Sequence, residues 1–139
     1  MKRIQIYVSG SEKNAPEGFT SWRDELKTLL VWHDDKIKVL DPMIHFNYTD
    51  KTPVTARQCS NYFMWMVDQC DILLVNLDHS DVSVGTGCEV QHGFDTHKPI
   101  IGFGTSSDTW YEWTADKCDV IFDTMEKAIE YIIEYYCEV

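Results

Sequence analysis

The chain has 139 residues, the size of one domain, and a domain of that length hides roughly 68–70% of its extended-chain surface without needing disulfide or metal staples. Apolar residues make up 44% and charged residues 25%, which excludes disordered, collagen-like and coiled-coil architectures. With 12 Lys and Arg against 23 Asp and Glu, the net charge of -11 argues against a polymeric nucleic acid as partner and leaves room for one small anionic ligand held by local donors.

Lys2 to Ser9 is a β-branched and aromatic run that stops at Gly10, and it predicts the first strand. Its apolar part, Ile4 to Val8, is interrupted by Gln5 and is too short for a signal segment or a membrane span, so no membrane partner is expected. The loop-forming stretch GSEKNAPEG follows. Phe19 to Trp32 predicts the first helix, with Trp22, Leu26, Leu29 and Leu30 at helical spacing and Thr20 or Ser21 as N-cap. Lys36 to Leu40 is a short second strand, closed by Asp41-Pro42. Met43 to Pro53 reads as loop, and Val54 to Gln69 as a helix with Tyr62, Phe63, Trp65 and Met66 on its apolar face.

Cys70 to Leu77 is apolar on both alternating faces, the mark of a central strand in a parallel sheet. Residues 78 to 87 then read as loop and Cys88 to Thr96 as helix, followed by a fourth strand at 98 to 104. Residues 105 to 113 read as loop or a short helix, Asp119 to Phe122 as a fifth strand, and Thr124 to Tyr136 as a final helix. That last helix turns Met125, Ala128, Ile129, Ile132 and Ile133 inward. Strict alternation of strand and helix predicts a single-domain α/β fold, a doubly wound, flavodoxin/Rossmann-like five-stranded parallel sheet. Ligands of such sheets bind outside the carboxyl ends of the strands, where strand order reverses. The loops there begin at Ser9, Asp41, Asp78 and Gly104.

The third of these loops carries the chemistry. Ser83-Val84-Gly85-Thr86-Gly87-Cys88-Glu89 runs from the central strand into a helix. Gly85 and Gly87 allow the backbone to approach a ligand. Glu89 is expected in the first helical turn, where free N–H groups and the helix dipole favour the ionised carboxylate. Such a carboxylate serves as a general base or nucleophile, or only complements the dipole. Tyr7, near the end of the first strand, is placed to bring its hydroxyl to Glu89 and fix its rotamer, or is a core aromatic with a wet tip.

With these residues in order, the chain resembles the nucleoside 2-deoxyribosyltransferase family over most of its length. IYVSG (6–10) is similar to the family's opening strand, with its tyrosine at Tyr7. VLDP (39–42) matches the second strand and turn, CDILLVNL (70–77) the third strand, SVGTGCE (83–89) the G-T-x-x-E region, and KPII (98–101) the next strand. The resemblance implies a retaining transfer of deoxyribose without metal or organic cofactor. Glu89 would be the nucleophile, forming a covalent deoxyribosyl-glutamate that a second base or water resolves.

Two positions depart from the family. Ser83 stands where an Asp usually assists the leaving base, and serine there is similar to the related nucleoside 5'-monophosphate N-glycosidases, where it helps hold the phosphate. Asp78 and Asp81 are the nearby candidates for the missing acid. Phe63 stands where a second Asp is usual, with Asn61 and Asp68 nearby but out of register. These differences leave three readings open: a deoxyribosyltransferase, a deoxynucleoside monophosphate hydrolase, and a non-catalytic nucleotide-binding module on the same fold.

Further candidates line the same edge. Ser9, Gly10 and Ser11 offer backbone and hydroxyl donors to a sugar or phosphate, or form a plain turn. Asp41, Met43 and His45 fall where the family places its base-facing loop, though Met43 equally suits a core gap. Arg57 is either a phosphate partner or a surface arginine, and Ser106, Ser107 and Asp108 fall where a neighbouring subunit often completes the site. Trp110, Tyr111 and Trp113 cluster as interface aromatics do, and predict a homo-oligomer.

Other chemistries find less support. Five His without H-x-x-x-H or H-E-x-x-H spacing argue against zinc. Cys88 and His92, four residues apart, are read as a buried thiol beside an exposed His rather than a catalytic pair. Glycine patterns for dinucleotide or Walker-type sites are missing. Five Cys without a C-x-x-C pair fit reduced thiols in a cytoplasm.

Overall fold

The computed structural model describes residues 2–11, 22–44, 55–78, 83–104 and 113–137. Five parallel strands, β1 (Ile4–Ser9), β2 (Ile37–Leu40), β3 (Ile72–Asn76), β4 (Ile100–Phe103) and β5 (Val120–Phe122), form one sheet in the order β2-β1-β3-β4-β5. Among the described residues five α-helices connect or flank them: α1 (Trp22–Leu30), α2 (Ala56–Gln69), α3 (Val84–Asp95), α4 (Trp113–Asp116) and α5 (Met125–Ile132). The order is that of the flavodoxin-like doubly wound fold, and strand order reverses between β1 and β3.

Period-two alternation in β1 divides the core. Ile6 and Val8 join Leu26 and Leu30 of α1 and Met125, Ala128, Ile129 and Ile132 of α5 on one face. Tyr7, with Leu73 and Val75 of β3, joins Met66 and Val67 of α2, Val90 of α3 and Ala115 of α4 on the other. β3 is buried along its whole length, as its two-sided apolar sequence requires.

Two Cys-Asp pairs extend the sheet by one rung each. Asp71 N–H donates to Gln5 O at 2.8 Å while its carboxylate accepts from Gln5 N–H at 2.8 Å. Asp119 repeats the arrangement with Ile100, at 2.8 and 2.9 Å. Each aspartate supplies an acceptor where the neighbouring strand would otherwise start with an orphan donor.

Several boundaries differ from the sequence expectation. α1 gives way to a 3-10 turn at Val31–His33, and the predicted N-caps Thr20 and Ser21 lie outside the described residues. Pro42–Ile44 forms a further 3-10 turn within the predicted loop. α2 is capped by Thr55 in a reciprocal box with Gln58, and it buries Phe63, Met66 and Val67. Trp65 points outward, because at 100° per residue it falls roughly opposite Phe63. α5 is capped by Thr124 and continues as a π-turn at Ile133–Cys137.

The largest difference is in α3, which begins at Val84 rather than Cys88 because Ser83 caps it, its hydroxyl accepting from Thr86 N–H at 3.4 Å. Gly85, Thr86 and Gly87 are therefore helical. The far end of α3 closes in a Schellman turn, with His97 N–H donating to Phe94 O (3.1 Å) and Lys98 N–H to Gly93 O (2.9 Å). His97 occupies the left-handed position at φ 61°. A side chain there is strained by about 1 kcal/mol, so His97→Gly is expected to raise unfolding free energy by about 0.5–1 kcal/mol in urea titrations.

Candidate functional site

The site forms at the carboxyl ends of β1 and β3, where strand order reverses. Tyr7 and Ser9, two residues apart, project from the same face of β1 towards α3. On α3, Thr86, Glu89, Val90 and Gly93 form the inward stripe. Gly93 brings the helix close, since a Cβ there would stand 2.9 Å from the Leu73 side chain. Glu89 thereby reaches the strand end, and Ser9 Oγ donates to Glu89 Oε2 at 2.9 Å in a buried hydrogen bond.

Glu89 lies in the second turn of α3, beyond the free N–H groups, and is only 7% exposed. The expectation of a carboxylate favoured by the helix start is thus corrected. Burial pushes Glu89 up to about 7, against the opposing pull of Tyr7, Ser9 and the Arg23 charge. Near neutral pH it is poised between acid and base. The remaining oxygen, Oε1, faces Gly85, where even an added Cβ would lie 3.9 Å away. Gly85 and Gly87 lie in the first turn of α3, neither packed so closely that a Cβ would clash, and Gly85 leaves the flank of Oε1 unobstructed.

Tyr7 is fully buried and lies near enough to Glu89 for each group to perturb the other. Burial first, then the neighbouring carboxylate, drives the phenol far above its ordinary value, so it stays a donor. Its hydroxyl nonetheless forms no well-aligned hydrogen bond with the described residues. Ser9 makes the well-aligned bond to the carboxylate, and Tyr7 lowers Glu89 from close by. Among the described residues a second buried polar side-chain atom lacks such a bond, Trp22 Nε1, at the same end of the molecule, where Trp22 covers Gly10. A Cβ at position 10 would come within 2.7 Å of the Trp22 ring and 2.9 Å of Asn76 Cβ. Gly10 is therefore required by packing.

The sequence reading missed Arg23. It is 5% exposed, with Nη1 donating to Asp41 Oδ1 at 2.9 Å and to Val8 O at 3.0 Å, and Nη2 donating to Gly10 O at 3.1 Å. Its guanidinium also lies 4.5 Å from the centre of the Trp22 ring. Asp41, expected to face a base, is buried in this ion pair and accepts from Met43 N–H at 3.0 Å. No pattern in the sequence distinguishes this arginine from a helix-surface one.

Ser83 and Thr86 satisfy each other, Oγ to Oγ1 at 2.7 Å. Asp78 sits at the ends of β3 and β4, its carboxylate 3.1 Å from where a Cβ of Gly104 would be. Phe63 is a core residue of α2, and Arg57 is exposed at that helix's start. Cys88 is exposed, contrary to its reading as a buried thiol, because it falls off the inward stripe of α3. His92 instead meets Asp68 of α2, Nε2 to Oδ1 at 2.7 Å. Ser11 is half-buried, while His45, Asp81, Ser106, Ser107, Asp108, Trp110 and Tyr111 lie outside the described residues. Among the described residues, no group of three or more His, Cys, Asp or Glu is placed to hold a metal ion, and no helix is long and apolar enough to cross a membrane.

No protein-family model and no curated protein matches the chain. Among solved structures it is similar to a conserved protein from Enterococcus faecalis V583, with TM-score 0.71, 14% identity, and coverage of 96% of this chain and 98% of that one. It is also similar to a 3-dehydroquinate dehydratase-like protein from Bifidobacterium longum, with TM-score 0.54, 12% identity, and coverage of 99% and 97%. At these identities the likeness concerns the fold.

The raised Glu89 has a thermodynamic signature. Between pH 4.5 and 7 the folded state holds a proton that the unfolded chain has released, so Glu89 lowers stability as pH rises through that window. Glu89→Gln removes the ionisation. The stability of this variant relative to the parent is expected to grow by roughly 2–3 kcal/mol from pH 5 to pH 8, read from denaturant midpoints. A difference independent of pH would contradict the raised value.

Proposed function

We propose that this protein cleaves the N-glycosidic bond of 2-deoxyribonucleosides through a covalent deoxyribosyl-Glu89 and passes the sugar to a second base. The carrying observation is a buried carboxylate at the reversal of strand order, one oxygen held by Ser9 and the other flanked by a glycine. In the first step, an ionised Glu89 oxygen bonds to the anomeric carbon. The bond to the base breaks, and the base departs with the electron pair and takes up a proton. In the second step, a nitrogen of the acceptor base attacks the same carbon, displaces the carboxylate and loses its own proton. Two inversions give net retention.

Ser9 anchors Oε2 and leaves Oε1 beside Gly85, which limits rotamer loss on attack. Tyr7, kept protonated, adds a donor that strengthens as charge returns to the carboxylate. Deoxyribose suits a site of this kind, because without a 2-hydroxyl the oxocarbenium-like transition state forms more easily.

Hydrolysis of deoxynucleoside 5'-monophosphates is the alternative favoured by Ser83 at the start of α3, beside the positive end of the helix. A non-catalytic nucleotide-binding module is the further reading, favoured by Phe63 in the core. The five cysteines form no C-x-x-C pair, a spacing consistent with a reducing cytoplasm. Trp113, 86% exposed beside Thr114, whose hydroxyl faces Gly87 of α3, marks a surface suited to a second copy.

Incubation with a deoxynucleoside and a free base is expected to exchange the bases, with a rate that rises through about pH 7 as Glu89 ionises. Glu89→Ala should abolish exchange while the fold survives. Release of deoxyribose 5-phosphate from monophosphates alone would favour hydrolysis. Thermal stabilisation by nucleotides without turnover would favour the binding module. Light scattering at micromolar concentration should show a dimer or larger, and a monomer would refute the shared surface.

A further inference from the structure

We infer that Arg23 is a positioning residue for Glu89, holding the backbone on both sides of Ser9 so that the serine hydroxyl stays on the carboxylate. The inference rests on the reading of Glu89 as the reacting group. Its basis is the register of the sheet. β1 pairs with β2 as far as Tyr7 opposite Leu40, but with β3 as far as Ser9 opposite Val75. β1 thus outruns β2 by two residues, and its last carbonyls on the β2 side, at Val8 and Gly10, have no strand to meet. Arg23 takes both, at 3.0 and 3.1 Å.

Those two carbonyls bracket Ser9, whose hydroxyl points the other way to Glu89 Oε2. Asp41 neutralises the guanidinium at 2.9 Å and holds Met43 N–H with the same oxygen. One planar fork therefore joins the ends of β1 and β2 and fixes the strand end beneath the carboxylate. A lysine would keep the charge but could not span three acceptors in this geometry. Among the described residues, the ionisable groups acting on Glu89 are Tyr7 from β1 and Arg23 from α1, and Asp41 beyond β2 acts on Tyr7.

The test is a double-mutant cycle on the full chain, read from the 13C titration of the Glu89 carboxyl. Arg23→Lys keeps the charge and loosens the fork, so the Glu89 midpoint is expected to rise by about half a unit as the Ser9 bond weakens. With Ser9→Ala already present, Arg23→Lys should add nothing. No shift in the first case, or equal shifts with and without Ser9, would overturn the inference, because Arg23 would then act by its field alone or not at all. Should Arg23→Lys fail to fold, Arg23→Met/Asp41→Leu removes both buried charges together. That pair is read by the same non-additivity with Ser9→Ala.

On deoxynucleoside cleavage, Arg23→Lys is expected to lower kcat about tenfold or more with KM within about twofold, since positioning rather than binding is lost. An unchanged kcat would count against the inference. If the parent cleaves no nucleoside, the proposed function falls, and the titration cycle alone decides the role of Arg23.

Discussion

The buried carboxylate of Glu89 is the group on which this end of the molecule depends. Removing a carboxylate from water is costly, and the chain compensates only in part. One serine hydroxyl donates to it at 2.9 Å, a buried phenol stands nearby, and Arg23, the cation that acts on it among the described residues, is already engaged with Asp41. Burial outweighs these contributions, and the carboxyl titrates at about 7. A purely structural glutamate would gain from a closer cation or from exposure. This incomplete compensation is the basis on which Glu89 is proposed as the reacting group.

The fold explains why the group can sit there. Reversal of strand order between β1 and β3 places α3 beside the extended end of β1 at the carboxyl edge, where ligands of such sheets bind. Gly93 lets α3 settle against Leu73, and Gly10 lets Trp22 settle over the strand end. The Arg23–Asp41 pair then takes up the carbonyls that the short β2 leaves unmatched. A buried ion pair contributes little net stability compared with an apolar one of the same shape. Here its geometry serves to fix a strand end, through bonds an apolar pair could not make.

Much of this was legible in the residues. The two-sided apolar run at 70–77 identified the central strand, and strict alternation of elements identified the doubly wound sheet. The spacing of Tyr7 and Ser9 places both on one face of β1, and the sheet order puts that face against α3. Other features depend on partners far away in the chain. Arg23 looks like any polar residue of an amphipathic helix until β1 is seen to outrun β2. The start of α3 was misplaced because Gly85 and Gly87 weigh against a helix locally, whereas Ser83 as cap and packing against the sheet decide for it. That shift of four residues removed Glu89 from the helix terminus and replaced a dipole argument with one of burial. Trp65 was placed inward by hydrophobicity alone, although the angular position of Phe63, Met66 and Val67 leaves it outside.

The most direct measurement is a crystal structure of the protein soaked with a deoxynucleotide that reacts slowly. The account predicts the anomeric carbon about 3–3.5 Å from a Glu89 oxygen, with Ser9 still bonded to the other. A sugar bound elsewhere, or a Glu89 carboxylate turned away from it, would contradict the account.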